Sequence, residues 1–408
     1  MKKRFFFMAL SALALASCSN DEMIDVKQNN IKVSATTAVS TRAGAVSTTT
    51  NNFGNFKLWA YTTDTKQLYI EKEFNKFDSN GNSDKNWNGS TISTPYFWPD
   101  NSLSFYAVSP STTTVNFSAD AQVIENYVPD GATDLLYAVN KGESENETNT
   151  AVSMNFRHAL AQLVFRARNE NNYIGVDVVG VRVAQVYSKN TLTLTGITDN
   201  TNTTSTEVET PTNAWGVWGS TPSEVTTYEA EIKPIYDLST LNRPIFITKN
   251  TEDSHYFKDN SYVPQEYGLY VLPQALAHWN PSTDSDLTSA TTPKAYFLVK
   301  CRVWNKPTGE ETVNDNPIFL WGDAETYKEV AIPVVKEGVE DAAWKQGKKY
   351  AYTFVFGEGA GYVPPTDPND PDADPDEEDI PGDPVLVPID VTVSVDDFQN
   401  ATDEIVNM

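Results

Sequence analysis

Period-two alternation of apolar and polar residues, cut every few positions by Ser, Asn, Gly, Asp and Pro, is the pattern that most restricts how this chain can fold. An alternating run shows one face to a core and the other to water, as a strand does. The three- and four-residue apolar spacing that a helix needs is scarce. Strand-like runs fall at 56–61, 96–99, 103–108, 134–138, 179–186, 191–194, 267–272, 295–304 and 350–356. Thr, Val, Tyr, Phe and Trp suit a pleated surface, and the 12% aromatic content, with 9 Trp, supplies rings to pack between sheets. The expected fold class is all-β, built of β-sandwiches. In Met154-Asn-Phe-Arg-His-Ala-Leu-Ala-Gln-Leu-Val-Phe-Arg-Ala167 the first half reads as one helical turn around 158–162 and the second half as a strand. A chain of 408 residues is long enough for two domains.

The N-terminus reads as an export signal. Lys2-Lys3-Arg4 is followed by an apolar run over 5–16, which falls short of the ~20 residues that span a bilayer. Leu15-Ala16-Ser17-Cys18 is a lipobox, so cleavage is expected between Ser17 and Cys18, with acylation of the Cys18 thiol. The function is then sought on a cell envelope.

The formal net charge is −25. The stretch ending at Arg42 holds 6 of the 30 basic and 3 of the 55 acidic residues, so the remainder carries 24 against 52, a net of −28. Such a surface repels phosphate backbones and argues against nucleic-acid binding. Of the 2 cysteines, lipidation of Cys18 leaves Cys301 without a partner and the mature chain without an internal disulfide. Cys301 shares a strand face with Phe297, Val299 and Val303, the setting of a buried structural thiol.

The two ends carry the clearest alternation. In the leader, Ile31, Val33, Ala35, Thr37 and Val39 share one face, and Thr41-Arg42-Ala43-Gly44 follows. In the tail, Val387, Ile389, Val391, Val393 and Val395 share one face. Residues 363–384, rich in Asp and Pro, cannot form a core. Pro stiffens them and the acids repel, so at ~3.1 Å per residue they reach on the order of 65 Å. The expected divisions are a signal peptide (1–17), a leader segment (18–42), an N-terminal domain (43–150), a C-terminal domain (151–362), an acidic Pro-rich linker (363–384) and a C-terminal strand segment (385–408).

Catalysis finds little support. The 3 histidines, His158, His255 and His278, have no metal-motif spacing and no nucleophile elbow nearby. His158 is read as making a structural hydrogen bond. The Asp run 367–379 lacks the Gly and Glu of a calcium loop and is read as a solvated spacer. No metal, cofactor or catalytic residue is expected, and the chain is not read as an enzyme. Trp215 and Trp218 are candidate ligand contacts, though a ring pair at this spacing also suits packing. The two end strands compete for one groove if both fit it. The tail has a few more methylenes, at ~0.8 kcal/mol each, a gross preference of roughly 3–4 kcal/mol before ordering costs. A linker carrying a competing strand is what strand addition between subunits requires. The equal alternative is that the tail pairs within its own second domain.

Several short pieces, in order, resemble the fimbrillin family, the lipoprotein subunits of type V pili in Gram-negative gut and oral bacteria. They are Cys18-Ser-Asn-Asp-Glu22, Thr41-Arg-Ala43, Tyr96-Phe-Trp-Pro99, Asp134-Leu-Leu-Tyr-Ala138, Phe156-Arg-His-Ala-Leu-Ala-Gln-Leu163, Leu272-Pro-Gln274 and Trp344-Lys-Gln-Gly-Lys-Lys-Tyr-Ala-Tyr352. The resemblance implies two transthyretin-like antiparallel β-sandwich domains and delivery to the outer membrane as a lipoprotein. It further implies cleavage by an arginine-specific protease, here between Arg42 and Ala43, which releases the strand of Ile31, Val33, Ala35 and Val39. A neighbouring subunit's tail strand, Val387 to Val395, then fills the groove. The expected role is a structural subunit of a cell-surface fimbria serving adhesion, with other pilus subunits as partners. The alternative is a surface lipoprotein that does not polymerise: an anchor, a tip, or a binder of glycan or host protein.

Overall fold

The structure, a computed structural model, describes residues 30–37, 55–75, 96–146, 148, 150–169, 171, 173–198, 215–237, 245–247, 269–281, 283–284, 292–305, 318–357, 361–365, 383–385 and 389–397. Every regular element among them is a strand. The first nine are β1 (Val33–Thr37), β2 (Asn55–Thr62), β3 (Leu68–Asn75), β4 (Leu103–Ser109), β5 (Asn116–Ser118), β6 (Val123–Tyr127), β7 (Leu136–Glu143), β8 (Val152–His158) and β9 (Ala161–Asn169). Next come β10 (Ile174–Thr193), β11 (Val217–Trp218), β12 (Ser223–Asp237), β13 (Ile245–Ile247), β14 (Leu269–Val271), β15 (Gln274–Ala275) and β16 (Tyr296–Asn305). The last are β17 (Ile318–Trp321), β18 (Lys328–Pro333), β19 (Ala343–Trp344), β20 (Lys348–Phe356), β21 (Gly361–Tyr362), β22 (Pro384–Val385) and β23 (Ile389–Asp397).

One sheet runs β1-β8-β7-β4-β2-β3. Its central strand β4 is buried at every position. Leu103, Phe105 and Ala107 pack with Phe56, Leu58 and Phe156 on one face. Tyr106 and Val108 pack with Trp59, Tyr137, Ile124 and Leu192 on the other. A strand covered on both faces needs no polar side, which is why 103–108 reads as nearly continuous apolar sequence.

β10 ties the molecule together. Its first part pairs with β16 and β12, and its end, from Asn190 to Thr193, pairs with β6 and β11. The sequence suggests two strands here, 179–186 and 191–194. The structure instead has one strand of 20 residues. The polar residues are tolerated inside it because they are satisfied: Ser188 Oγ donates to Glu224 O (3.0 Å) and Asn190 Nδ2 to Gly219 O (3.0 Å). A bulge with Gln185 at φ 58° shifts the register against β12 between Val183 and Val186.

The third large sheet runs β13-β9-β20-β23, with β14 also beside β9. Phe165, Tyr352, Phe354, Ile389, Val391 and Val393 from this sheet meet Val181, Phe297, Val299, Cys301 and Ile332 from β10, β16 and β18. Most pairings are antiparallel, but β1 lies parallel to β8 and β20 parallel to β9.

The helical turn expected around 158–162 does not form. β8 continues to His158, two residues break the ladder, and β9 begins at Ala161. Ala159 N–H donates to Leu135 O (2.8 Å), while Ala161 to Leu163 pair with β14. Neighbouring backbones on both sides claim the groups a helix would have used. Residues 152–158 pair with β7 and β1, so the chain leaves the first sheet after His158.

Candidate functional site at the two end strands and the joint between the sandwiches

β1 is the edge strand of the first sheet. Its register on β8 runs from Val33 opposite Val152 to Thr37 opposite Phe156. Ile31 N–H donates to Tyr96 O (2.8 Å) and Val152 N–H to Lys32 O (2.8 Å). Ile31 (0% exposed) and Val33 (5%) are plugged into the cluster of Phe56, Leu58, Met154 and Phe156. Ala35 lies in β1 opposite Met154. Cys18, Val39, Arg42 and Ala43 lie outside the described residues.

The tail strand pairs within its own chain, one of the two arrangements the sequence left open. β23 lies antiparallel on β20 along nine register pairs, from Ile389 opposite Phe356 to Asp397 opposite Lys348. Ile389, Val391 and Val393 are buried in the core below, and Val395 is 37% exposed. Lys336 Nζ sits 3.0 Å from Asp390 Oδ1. Val387 lies outside the described residues.

The two ends of the acidic linker are fastened together. Gly361 pairs with Val385 and Tyr362 with Pro384 in the short β21–β22 ladder, and Val363 N–H donates to Asp383 O (2.9 Å). This overturns the expectation of a fully extended spacer. Opposed residues of an antiparallel pair are about 5 Å apart, so the segment starts and ends at one place. Residues 366–382, including the whole Asp run, lie outside the described residues.

The third feature is a polar joint between the sandwiches, made by the motifs that carry the resemblance. His158 Nδ1 is 2.5 Å from Asp134 Oδ2. Tyr137 O–H accepts from Gly216 N–H (2.7 Å), and Gln346 Nε2 donates to Gly216 O (2.8 Å). Gly347 N–H donates to Leu160 O (2.9 Å). The Arg157 guanidinium lies 5.8 Å from the Trp215 ring centroid. Burial pushes the Tyr137 phenol up to about 12. Residues 130 positions apart in sequence, Gly216 and Gln346, thereby meet over the β8–β9 break.

The two candidate ligand-contact tryptophans belong to this joint. Trp215 is only 8% exposed. Trp218 Nε1–H donates to Ala159 O (2.7 Å), and its ring lies 6.4 Å from that of Tyr127. Trp215 is buried and the half-buried Trp218 packs toward Tyr127, the packing role that their spacing also suits. Cys301 is a free, fully buried thiol, and burial, then the Glu329 carboxylate, pushes its pKa up. Among the described residues no group of three or more His, Cys, Asp or Glu is arranged to hold a metal ion. Among the same residues no helix is long and apolar enough to cross a membrane.

Among curated proteins none matches this sequence. Solved structures resemble it at low identity. A candidate cell adhesion protein of Bacteroides uniformis is 12% identical over 91% of this chain and 99% of its own (TM-score 0.39). One of Parabacteroides distasonis is 10% identical over 90% and 97% (TM-score 0.42). The tip fimbrial protein Mfa3 of Porphyromonas gingivalis, with a C-terminal truncation, is 8% identical over 85% and 94% (TM-score 0.36). Residues 41–367 match the family described as fimbrillin-like. That match takes in most of the chain, from between β1 and β2 to just past β21, and the chain belongs to the fimbrillin-like family.

Proposed function

We propose that this chain is a structural subunit of a cell-surface fimbria, delivered as a lipoprotein through Cys18 and assembled by strand exchange after cleavage between Arg42 and Ala43. Family membership supports a fimbrial, adhesive role at the cell surface with other pilus subunits as partners. The observation that carries the finer reading is β1. It is an edge strand, upstream of Arg42 in sequence, whose Ile31 and Val33 plug a core built by residues of β2, β4 and β8. Its loss opens a slot lined by Phe56, Leu58, Met154 and Phe156, which a strand of similar parity refills. The tail of a neighbouring copy, Val387 to Val395, is that strand. To donate it, a subunit first parts β23 from β20.

The experiment is the N-terminal residue of protein sheared from cells, with Arg42→Ala and a deletion of 385–408 alongside. The reading requires Ala43 as the N-terminus, a membrane-retained precursor from Arg42→Ala and no polymer from the deletion. An acylated Cys18 on assembled protein refutes the cleavage, and normal polymer from the deletion refutes the donor. The nine-pair ladder of β23 on β20 favours a second reading, a monomeric anchor, tip or binder of glycan or host protein whose tail stays at home.

A further inference from the structure

The tail strand is also one wall of a cleft. A hollow of about 340 Å³ lies where the end of β18, the loop after β15, β21 and the start of β23 come together. Pro281, Pro333 and Tyr362 give it flat apolar surfaces, and His278, Asn280, Lys336 and Asp390 give it polar ones. The tail supplies Ile389, Asp390 and Val391. We propose that this cleft binds one or two rings of a neutral sugar, and that it does so only while β23 is docked on β20.

The chemistry selects the class. A pyranose offers C–H faces to flat apolar walls and hydroxyls that both donate and accept. Asp390 and Glu337 accept, the Lys336 ammonium donates, and Asn280 does both. His278 Nδ1 is 2.6 Å from Val335 O. A carbonyl only accepts, so Nδ1 carries the proton and Nε2 is the ring nitrogen left to face a ligand. The Lys336 charge is already matched by Asp390 at 3.0 Å, and Glu337 adds a second carboxylate. The cleft therefore has no spare positive charge for a phosphate, a nucleotide or an acidic sugar. A volume of about 340 Å³ lies at the small end of ligand sites.

Because three lining residues belong to the tail, ligand binding and tail docking are linked. A ligand that binds only the docked form reduces tail opening by the factor 1 + [L]/Kd, about 100-fold at a concentration one hundred times Kd.

The test uses saturation-transfer NMR on the protein with millimolar galactose, N-acetylglucosamine and N-acetylneuraminic acid, followed by hydrogen exchange of the β23 amides with and without the sugar that binds. The expected result is transfer to a neutral sugar and not to the acidic one. His278→Phe, which keeps a flat ring, and Asp390→Asn should lose that transfer, and the bound sugar should slow β23 exchange in proportion to its concentration. Failure of both neutral sugars to bind, equal transfer to N-acetylneuraminic acid, or transfer unchanged in both variants overturns the proposal. Binding without any slowing of β23 exchange overturns the linkage. If Asp390→Asn frees the tail, His278→Phe alone decides, since position 278 lies off the β20–β23 ladder. None of these outcomes depends on whether subunits polymerise.

Discussion

Ile31→Ala is expected to loosen β1 without unfolding the domain behind it. The side chain is 0% exposed and packs among Phe56, Leu58, Met154 and Phe156. The substitution removes three carbons, worth ~0.8 kcal/mol each on transfer, about 2.4 kcal/mol in all. Incomplete collapse around the gap adds a cavity cost, which brings the total to about 3 kcal/mol. A tenfold change in an equilibrium corresponds to about 1.4 kcal/mol, so opening of β1 should rise about 100-fold. Two amides report it directly: Ile31 N–H, held by Tyr96 O, and Val152 N–H, held by Lys32 O. Their hydrogen exchange should accelerate by that factor, while Leu58 and Phe105, in the sheet interior, keep their protection. Val395→Ala, at a position 37% exposed, serves as the control and should change stability by about 0.5 kcal/mol or less. A rise below about fivefold at both reporters would show that Ile31 does not hold the strand. An equal rise at Leu58 and Phe105 would show that β1 cannot leave without the rest of the sheet, and the removable-strand argument would fail with it.

Two further outcomes test the joint and the core. Gly347 has φ +69°, and a Cβ there would stand 3.4 Å from Trp215 Cη2, so Gly347→Ala should cost about 1–2 kcal/mol in urea unfolding; a loss under about 0.3 kcal/mol would show that the turn carries no strain. Burial pushes Tyr106, Tyr137 and Tyr350 up to about 12 from an ordinary value near 10. Their folded pKa lies above the unfolded one, so their contribution is intact below pH 10 and is lost as pH rises toward 12. Tyrosinate absorbance at 295 nm should lag in the native protein and then appear together with loss of the circular dichroism signal, and complete ionisation near pH 10 of a still-folded chain would contradict this.

The alternating runs were legible because side-chain direction in a strand has a period of two and is fixed locally. Most of the strands in the interior of both sandwiches stand close to where the pattern puts them, and Cys301 lies on the buried face with Phe297, Val299 and Val303. The misreadings have a common cause. The runs 179–186 and 191–194 read as separate strands, and the partners Glu224 and Gly219, far along the chain, let Ser188 and Asn190 sit inside one continuous strand. The segment around His158 carries local helical character, but Leu135 and β14 take its backbone groups. The linker composition is that of an extended spacer, yet a two-pair ladder at its ends brings them together.

The sequence by itself determined that this chain is built of strands, which face of each strand is apolar, and that its two ends carry strands of matching parity. Those properties reside in consecutive residues, where the pleat leaves no choice. Only the tertiary structure decided which strands meet: β1 parallel on β8, β23 on β20 of the same chain, β10 shared by two sandwiches, and the Asp134, Arg157, Trp215 and Gln346 segments gathered at one joint. Every backbone presents the same N–H and C=O groups to a neighbour, so nothing within a strand names its partner. Pairing is chosen by the packing of the whole core, whose contacts join residues more than a hundred positions apart.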